Sequence, residues 1–199
     1  MNAIEKYQYA LKLYVEQNQR DTTHKIAGLL YQSAYSGCAE AQFVIAHYGL
    51  NCFCQNSETP EYWYEKAASQ GHPHAQYCLA MTILDNAEQY DGECMERAIN
   101  LLTKAANGGN TSAAFLLHHV YNLGLWDIDI DIPQSDHWLQ VAKHNRSQYE
   151  QKREHRKADS DCIEPDDWDL EFHKDSVYFL SEIDIEKWRR YVLTQMIRK

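Results

Sequence analysis

Histidines are the side chains that most invite a chemical role in this sequence, which contains 10 of them. His72 and His74 flank a proline directly after a glycine, and His118 is followed by His119. Adjacent residues of a helix point about 100° apart, so His118 and His119 cannot bind one metal ion from the same helix face. His72 and His74 could share an ion in a turn, but no third ligand follows at a metal-site spacing. We therefore predict no metal and no cofactor, and we interpret the histidines as structural or surface residues.

The remaining candidate motifs are a cysteine pair and an acidic stretch. Cys52-Phe-Cys54 lacks the spacing of a redox Cys-x-x-Cys motif, and no second pair is present to complete a zinc site. Asp127-Ile-Asp-Ile-Asp131 has an acidic residue at every second position, as a calcium-binding loop does. It lacks the glycine and the distal glutamate that such a loop needs. No nucleophile elbow, phosphate-binding loop or dinucleotide fingerprint occurs. The sequence therefore predicts no catalytic residues and a protein that is not an enzyme.

Composition predicts a protein with one sizeable core. The chain has 199 residues, of which 44% are hydrophobic and 24% are charged, as is ordinary for soluble proteins. The sequence shows neither a signal-like N-terminus nor a stretch near the roughly 18 apolar residues of a membrane span, so we expect a cytoplasmic protein with free cysteine thiols. The net charge of -10 disfavours nucleic acid and membrane partners and favours a basic protein partner. The oligomeric state stays open.

A short sequence pattern occurs three times and indicates how the chain is organised. Three segments each separate two helical stretches: Gly37-Cys-Ala-Glu-Ala41, Gly71-His-Pro-His-Ala75 and Gly109-Asn-Thr-Ser-Ala113. Successive glycines of the pattern are 34 and 38 positions apart. Such a period is typical of stacked helical repeats. Glycine ends the preceding helix in the left-handed conformation, and Pro73 fits the first turn of the next helix. Each unit is therefore predicted to be an antiparallel pair of helices.

Each unit repeats the same set of positions that a helical period places on one face. Because one helix pair cannot bury its own apolar face, the units must stack on one another. The residues expected on the buried faces are Leu30, Ser33, Ala34, Ala41, Val44 and Ile45 in the first unit, Tyr64, Ala67, Ala68, Ala75, Cys78, Leu79 and Ile83 in the second, and Leu102, Ala105, Ala106, Ala113, Leu116, Leu117 and Tyr121 in the third.

The second unit resembles a known repeat signature. Its segment from Tyr62 to Ala80, Tyr-Trp-Tyr-Glu-Lys-Ala-Ala-Ser-Gln-Gly-His-Pro-His-Ala-Gln-Tyr-Cys-Leu-Ala, is similar to the signature of the Sel-like repeat (SLR) family, a relative of the tetratricopeptide repeats. The resemblance implies an all-α fold, a right-handed α-solenoid of about three to four antiparallel helix pairs with an N-terminal capping helix and a divergent C-terminal helical segment. The repeats are expected at about 25–58, 59–96 and 97–131, with a partial unit at 132–142.

The two ends of the array differ in character. Residues 1–20 are expected to form a capping helix, with Ile4, Tyr7 and Leu11 on one face and Ala10 beside them. In the partial unit Ser135 is the expected N-cap. After residue 142 either the helix continues as a charged rod or the array ends.

Residues 143–199 are predicted to be a charged linker and a C-terminal capping helix. The linker is strongly acidic from Asp159 to Glu171. The final helix is expected to begin near Ser181 and to pack through Ile185, Trp188, Val192 and Met196.

The outward residues of the first helices are the expected partner-binding surface, because stacked helix pairs line an extended groove with them. Tyrosine is enriched at interface hot spots, although each tyrosine here could instead pack against a neighbouring helix. The acidic segment is either a solvated linker or a steering element for a basic partner. The predicted partner-binding residues are Tyr31, Gln32, Tyr35, Tyr62, Glu65, Lys66, Ser69, Asn100, Thr103, Lys104 and Asn107, together with Asp166, Asp167, Trp168 and Asp169.

Three functions are compatible with these features. The resemblance implies a protein-binding module, and the leading hypothesis is an immunity or inhibitor protein that neutralises a partner toxin, a basic toxin or effector domain, by occlusion. The alternative is an adaptor or scaffold in a regulatory pathway. A remote alternative is a metal-dependent hydrolase that uses His72, His74 or Asp127.

Overall fold

The structure is a computed structural model that describes residues 1–15, 21–48, 58–86 and 92–158. These residues belong to one compact unit, Met1–Ser160, and no β-strand occurs among them. Their α-helices are α1 (Ala3–Val15), α2 (Asp21–Tyr35), α3 (Ala39–Tyr48), α4 (Pro60–Ser69), α5 (Pro73–Asn86), α6 (Gly92–Asn107), α7 (Thr111–Leu123) and α8 (Ile132–Ala158), with a 3₁₀ helix at Leu125–Asp127 between the last two.

Each helix packs against the next one along the chain, from α1 on α2 to α7 on α8, and α6 also contacts α8. Sequential packing of this kind is how helical repeats bury apolar faces that no single helix pair can cover. The predicted all-α solenoid is confirmed. Among the predicted buried positions, Tyr64, Cys78, Ile83 and Tyr121 are half-buried and the others are buried.

The repeated glycine turns share one backbone geometry. Gly37, Gly71 and Gly109 have φ of +95°, +88° and +101°. In the second turn His72 N–H donates to Ala67 O at 3.2 Å, five residues back, and the other two turns contain the equivalent bond. This is the Schellman arrangement, which ends a helix at a left-handed glycine. The pattern repeated in the sequence is therefore a turn repeated in the structure.

Small residues at the helix ends let neighbouring repeats approach closely. Ala67 and Ala68 of α4 and their counterparts in α6 are buried. A Cβ atom built on Gly108 would lie 2.8 Å from Cγ of Pro73. The turn after α6 thus contacts the start of α5 at a distance that leaves no room for a side chain.

Side-chain amides bond the carbonyl groups at the ends of the first helices. Gln42 Nε2 donates to Ala34 O at 2.9 Å, and Gln76 Nε2 donates to Ala68 O at 3.2 Å. These glutamines occupy equivalent positions of their repeats, where the third repeat has Ala114. In each repeat the N–H of the turn glycine also donates to this carbonyl, at 3.0, 3.0 and 3.1 Å. In the third repeat the second, side-chain donor comes from elsewhere in the fold.

That donor comes from α8, which continues well past the expected repeat boundary at residue 142. Trp138, Ala142 and Asn145 lie on its buried face, and Asn145 Nδ2 donates to Ala106 O at 2.8 Å. Residues 143–157, expected to begin a charged linker, are therefore helical, and Asn145 near their start packs on the array. Of the two alternatives for this segment, the continuing helix is the one observed.

The N-cap of α8 is Asp131 and not the predicted Ser135. Asp131 Oδ1 accepts a hydrogen bond from Gln134 N–H at 2.9 Å, so the helix begins one turn earlier than expected. Ser135 is 1% exposed, and its Oγ lies 2.8 Å from Nδ1 of His118. The serine is a packing residue because α7 places a polar histidine opposite it.

The N-terminal helix α1 packs on α2 through Tyr7, Ala10 and Leu11, which are buried. Ser33 Oγ of α2 donates to Ala3 O at 2.6 Å. This bond attaches the first turn of α1 to α2. Ile4, predicted on the same face, is 59% exposed, because consecutive helical residues point about 100° apart.

The predicted acidic segment and the predicted final helix lie within residues 159–199, outside the described residues. None of the described helices is both long enough and apolar enough to cross a membrane.

Candidate functional site

Four aromatic side chains from α2 and α4 meet in one cluster, here called the aromatic platform: Tyr31, Tyr35, Tyr62 and Trp63. Trp63 is 1% exposed and Tyr31 is 4% exposed, so these two rings form the floor. Tyr35 and Tyr62 are 53% and 39% exposed and form the accessible part. The platform thus presents two tyrosine rings to solvent on a buried aromatic base.

The spacing of the residues and the start of α4 produce this cluster. Tyr31 and Tyr35 are one turn apart on α2, which places both on one helix face. Thr59 is the N-cap of α4, and its Oγ1 accepts from Tyr62 N–H at 3.4 Å. The cap fixes the first turn of α4, where Tyr62 and Trp63 lie, against α2.

Edge-to-face contacts hold the exposed rings in place. The ring centroids of Tyr35 and Trp63 are 5.1 Å apart at an interplanar angle of 71°, and those of Tyr62 and Trp63 are 5.1 Å apart at 79°. Tyr31 meets Trp63 at 6.2 Å and 73°. This geometry is favourable for aromatic pairs, since a positive ring edge faces a negative ring face. Tyr35 and Tyr62 are therefore supported by the packed interior as well as being accessible.

Tyr31 was predicted to point outward, and that prediction was wrong. The ring is buried because it packs against both Trp63 and Tyr35, at centroid distances of 6.2 Å in each case. The sequence left open whether each tyrosine binds a partner or covers a neighbouring helix, and Tyr31 does the latter. Trp63, whose position on the helix surface the sequence does not indicate, packs against Tyr31 and buries its ring.

A carboxylate lies at the edge of the platform. The Tyr35 hydroxyl donates to Glu58 Oε1 at 2.8 Å. Desolvation by burial of the phenol group, and then this hydrogen bond to an anion, raise the pKa of Tyr35 to about 12. The other oxygen, Glu58 Oε2, is buried and has no hydrogen-bond partner within the described part of the chain.

Charged side chains continue the same surface from α4 to α6. The Lys66 ammonium lies 5.5 Å from the centroid of the Tyr62 ring, within cation–π range. Arg97 Nη2 of α6 lies 3.0 Å from Glu65 Oε1 of α4. These contacts place the outer sides of α2, α4 and α6 next to one another. We call this surface the first-helix face.

The structure brings most of the predicted partner-binding residues to the first-helix face. Apart from Tyr31, they are exposed except for Thr103, which is half-buried. The predicted residues of α6 lie along the helix that carries Arg97. The exposed predicted residues are Gln32, Tyr35, Tyr62, Glu65, Lys66, Ser69, Asn100, Lys104 and Asn107. Asp166, Asp167, Trp168 and Asp169 lie outside the described residues.

Three histidines surround Phe43 where the first two repeats meet. The rings of His47 and His72 stack on Phe43 with centroids 5.4 and 4.7 Å away, and His74 lies at 6.0 Å. Burial lowers the pKa of His47 and of His72, which favours their neutral forms. His72 Nδ1 accepts from Ala75 N–H at 3.2 Å, so this ring also caps the N-terminus of α5.

His72, His74 and His118 make hydrogen bonds at helix ends and between repeats. His74 Nδ1 lies 2.9 Å from Asn110 Nδ2, and His118 bonds to Ser135. Within residues 1–15, 21–48, 58–86 and 92–158, no group of three or more His, Cys, Asp or Glu side chains is placed to hold a metal ion. The acidic stretch contributes Asp131 as a helix cap.

Two of the described thiols, Cys38 and Cys78, take part in no disulfide bond. Cys52, Cys54 and Cys162 lie outside the described residues. Burial raises the pKa of the Cys78 thiol to about 11. A thiol with so high a pKa is a poor nucleophile near neutral pH.

Comparison with known proteins identifies the architecture. Neither a protein-family model nor a curated protein matches the sequence. Among solved structures, the chain is similar to a Sel1 repeat protein from Oxalobacter formigenes, with 25% identity, a TM-score of 0.48, and coverage of 59% of this chain and 47% of that one. It is also similar to a protective antigen present in uropathogenic Escherichia coli strains displaying an SLR fold, with 18% identity, a TM-score of 0.57, and coverage of 72% and 31%. The chain spans less than half the length of either protein. The second likeness shows the fold alone, and it confirms the predicted Sel-like repeat architecture.

Proposed function

We propose that this chain, which has the SLR fold, is a non-catalytic protein-binding module that contacts its partner through the first-helix face. The observation that supports this most is the aromatic platform. Tyr35 and Tyr62 expose large ring surfaces while Trp63 contacts both rings from the buried side. Fold alone does not determine function, so the proposal depends on these side chains.

Rings that are already held in place favour binding for a physical reason. Association costs conformational entropy when interface side chains become ordered. Tyr35 and Tyr62 have part of their freedom removed in advance by their edge-to-face contacts with Trp63. Tyrosines of this kind combine a large apolar area with a polar hydroxyl group, as hot-spot residues do.

The charged surface beside the platform fits the polar rim of a protein interface. Glu65 and Arg97 form an ion pair across α4 and α6 in which both side chains are more than half exposed. Such pairs contribute little to stability at the surface, and they serve better to orient an approaching partner. The platform would supply affinity, and the rim would supply orientation.

The finer proposal is that the module is an immunity or inhibitor protein that neutralises a toxin by covering its active site. Occlusion needs a binding surface and no chemistry of its own. The net charge of -10 favours a basic partner such as a toxin or effector domain. An adaptor would use the same face to hold a short peptide segment, so the two roles differ in whether partner activity is blocked.

Capture of partners from the native host tests the proposal when the surface is varied. The full chain, a Tyr35→Ala/Tyr62→Ala variant and a Tyr9→Ala control are used as bait. Tyr9 is a 36% exposed tyrosine on α1 whose ring and hydroxyl lie beside Lys25. A partner that is retained by the wild-type chain and by Tyr9→Ala, but lost with the double variant, is the expected result. A partner retained equally by all three baits would contradict use of the platform.

The captured partner then separates the two finer roles. A nuclease, peptidase or other activity of the purified partner that stops on stoichiometric addition of this chain supports the occluding inhibitor. A partner activity that continues in the complex contradicts occlusion and leaves the adaptor. Circular dichroism melting of each bait checks that the substitutions leave the helical array folded.

A further inference from the structure

We propose that the platform receives an arginine side chain of the partner, with its guanidinium group over the exposed ring of Tyr35 and paired with the carboxylate of Glu58. The inference rests on the proposed function, because it names the chemistry that the first-helix face would bind. It follows from three features of the described residues: an unsatisfied carboxylate oxygen, an accessible ring beside it, and a ring–cation contact already present on the same face.

The carboxylate is the first feature. Glu58 Oε1 accepts one hydrogen bond, from the Tyr35 hydroxyl at 2.8 Å, whereas Oε2 is buried with no donor in the described part of the chain. A buried charged oxygen without a donor is costly, because water has been removed and nothing replaces it. A guanidinium group has donors to spare, and a rotation of the Glu58 side chain that exposes Oε2 would satisfy this oxygen on binding.

The position of the ring is the second feature. Tyr35 is 53% exposed, and its ring meets Trp63 edge to face and Tyr31 at a tilted angle. Its hydroxyl end touches Glu58. A cation placed over the phenol end of the ring is therefore next to the carboxylate, so one group can make both contacts.

The third feature is on the neighbouring ring. Lys66 places its ammonium 5.5 Å from the Tyr62 centroid, so this face already stabilises a cation through the negative face of a tyrosine. Glu65, the acidic residue one turn before Ser69, is paired with Arg97 at 3.0 Å. Glu58, unlike Glu65, is bonded to a hydroxyl group, that of Tyr35, and is paired with no cation among the described residues.

Arginine fits these features better than lysine does. Its planar guanidinium stacks on an aromatic ring and donates to a carboxylate through two parallel N–H groups, whereas an ammonium group is a compact and strongly hydrated point charge. The net charge of -10 adds a long-range attraction for basic partners. The partner is thus expected to present an arginine at the centre of its contact surface.

Nuclear magnetic resonance titration of the full chain tests this inference with a defined probe. N-acetyl-arginine-N-methylamide is compared with the citrulline analogue, which has nearly the same shape but no charge, at constant ionic strength. Because a cation–π contact and a surface ion pair are each weak, the titration runs to about 50 mM. We expect saturable shifts of the Trp63 indole N–H and of the Thr59 amide with the arginine probe, and about tenfold weaker binding of citrulline.

Two charge-matched variants make the test specific. Glu58→Gln removes the proposed carboxylate, and Glu61→Gln removes an exposed carboxylate in the first turn of α4. Glu58→Gln should abolish the preference for arginine over citrulline, and Glu61→Gln should retain it. The persistence of the Trp63 indole signal in each variant reports that the platform is folded.

Three outcomes would overturn the inference: no shift with either probe, equal shifts with both probes, or equal losses in the two variants. None of these outcomes bears on the capture experiment. If the partner is still lost with Tyr35→Ala/Tyr62→Ala, the binding surface stands and only the arginine assignment is wrong. If arginine binds as expected but the partner is captured equally by the wild-type chain and by Tyr35→Ala/Tyr62→Ala, the proposed function is wrong instead.

Discussion

Asn145 Nδ2 donates a hydrogen bond to the carbonyl oxygen of Ala106 at 2.8 Å, and this bond ties α8 to the end of α6. In the first two repeats the equivalent carbonyls are bonded by glutamines of the second helix. The third repeat has Ala114 at that position, so the donor arrives from 39 residues further along the chain. The extended α8 is thus a structural part of the array.

Replacing Asn145 by alanine tests this role. The substitution leaves Gly109 N–H, at 3.1 Å, as the remaining donor to the Ala106 carbonyl, so the loss of one net hydrogen bond should lower the free energy of unfolding by about 0.5–1.5 kcal/mol. Gln148→Ala is the control, since Gln148 lies exposed on the same helix and bonds only along the surface to His144. Urea unfolding followed by circular dichroism measures both. Equal stability of the two variants would show that the bond is dispensable.

The platform should owe its rigidity to Trp63. Trp63→Ala removes one of the largest fully buried side chains, so we expect the free energy of unfolding to fall by about 3–5 kcal/mol. Tyr62→Ala, one residue earlier and 39% exposed, should cost much less. Thermal melting of the pair checks this. If both variants had the same melting temperature, the Trp63 indole would not be the structural base of the cluster.

Two glycines should respond to alanine with opposite signs. Gly71 has φ of +88°, where a Cβ atom is strained, so Gly71→Ala should destabilise the fold by about 1 kcal/mol or more. Gly28 lies inside α2, and an added Cβ meets nothing within 4 Å. Gly28→Ala should therefore stabilise the fold by about 0.5–1 kcal/mol. A shift of the melting temperature in the same direction for both would contradict the turn assignment.

Stability should decrease as the pH falls below neutral. Burial lowers the pKa of His72 and of His47 below the ordinary value of 6.5, against an opposing effect of the Glu40 charge on His72. Well above pH 6.5 these histidines are neutral in both the folded and the unfolded chain. Below it the unfolded chain binds protons first, so the free energy of unfolding falls until the folded state is also protonated.

His72→Asn separates the contribution of His72 from the rest. Asparagine keeps a side-chain acceptor for the N-terminus of α5 and removes the titrating ring. Urea unfolding at pH 7.5 and pH 5.5 should show a smaller loss of stability in this variant than in the wild-type chain. His137→Asn, an exposed replacement on α8, should behave as wild type. An unchanged pH dependence in His72→Asn would show that this ring is not a source of acid sensitivity.

Local sequence patterns predicted the features of the fold that depend on local chemistry. A glycine followed by a cap residue ends one helix and begins the next regardless of context, which is why the turns at Gly37, Gly71 and Gly109 were identified. The alanines that precede them are buried for an equally local reason, since only small residues allow a second helix to approach. Periodicity alone also identified the buried face of α7.

Features that depend on distant partners were not predicted. Tyr31 is buried because Trp63, 32 residues later, packs on it, and helical period gives no sign of this. Ser135 was predicted to be a helix N-cap because serine is a common N-cap residue. In the structure it is buried and hydrogen-bonded to His118 of α7. The Tyr35 to Glu58 hydrogen bond joins residues 23 positions apart. Only the packed structure shows that the exposed tyrosines have a carboxylate beside them.

Tyr35 and Tyr62 are proposed to form the contact that holds a protein partner. The most direct measurement is the dissociation constant of the purified partner for the wild-type chain, Tyr35→Ala/Tyr62→Ala and Tyr9→Ala by titration calorimetry. If each tyrosine is a hot spot worth about 2 kcal/mol, the two substitutions together should weaken binding by about 4 kcal/mol, on the order of a thousandfold. Tyr9→Ala should bind as the wild type does. Equal dissociation constants for all three chains would contradict the claim and move the binding surface away from the platform.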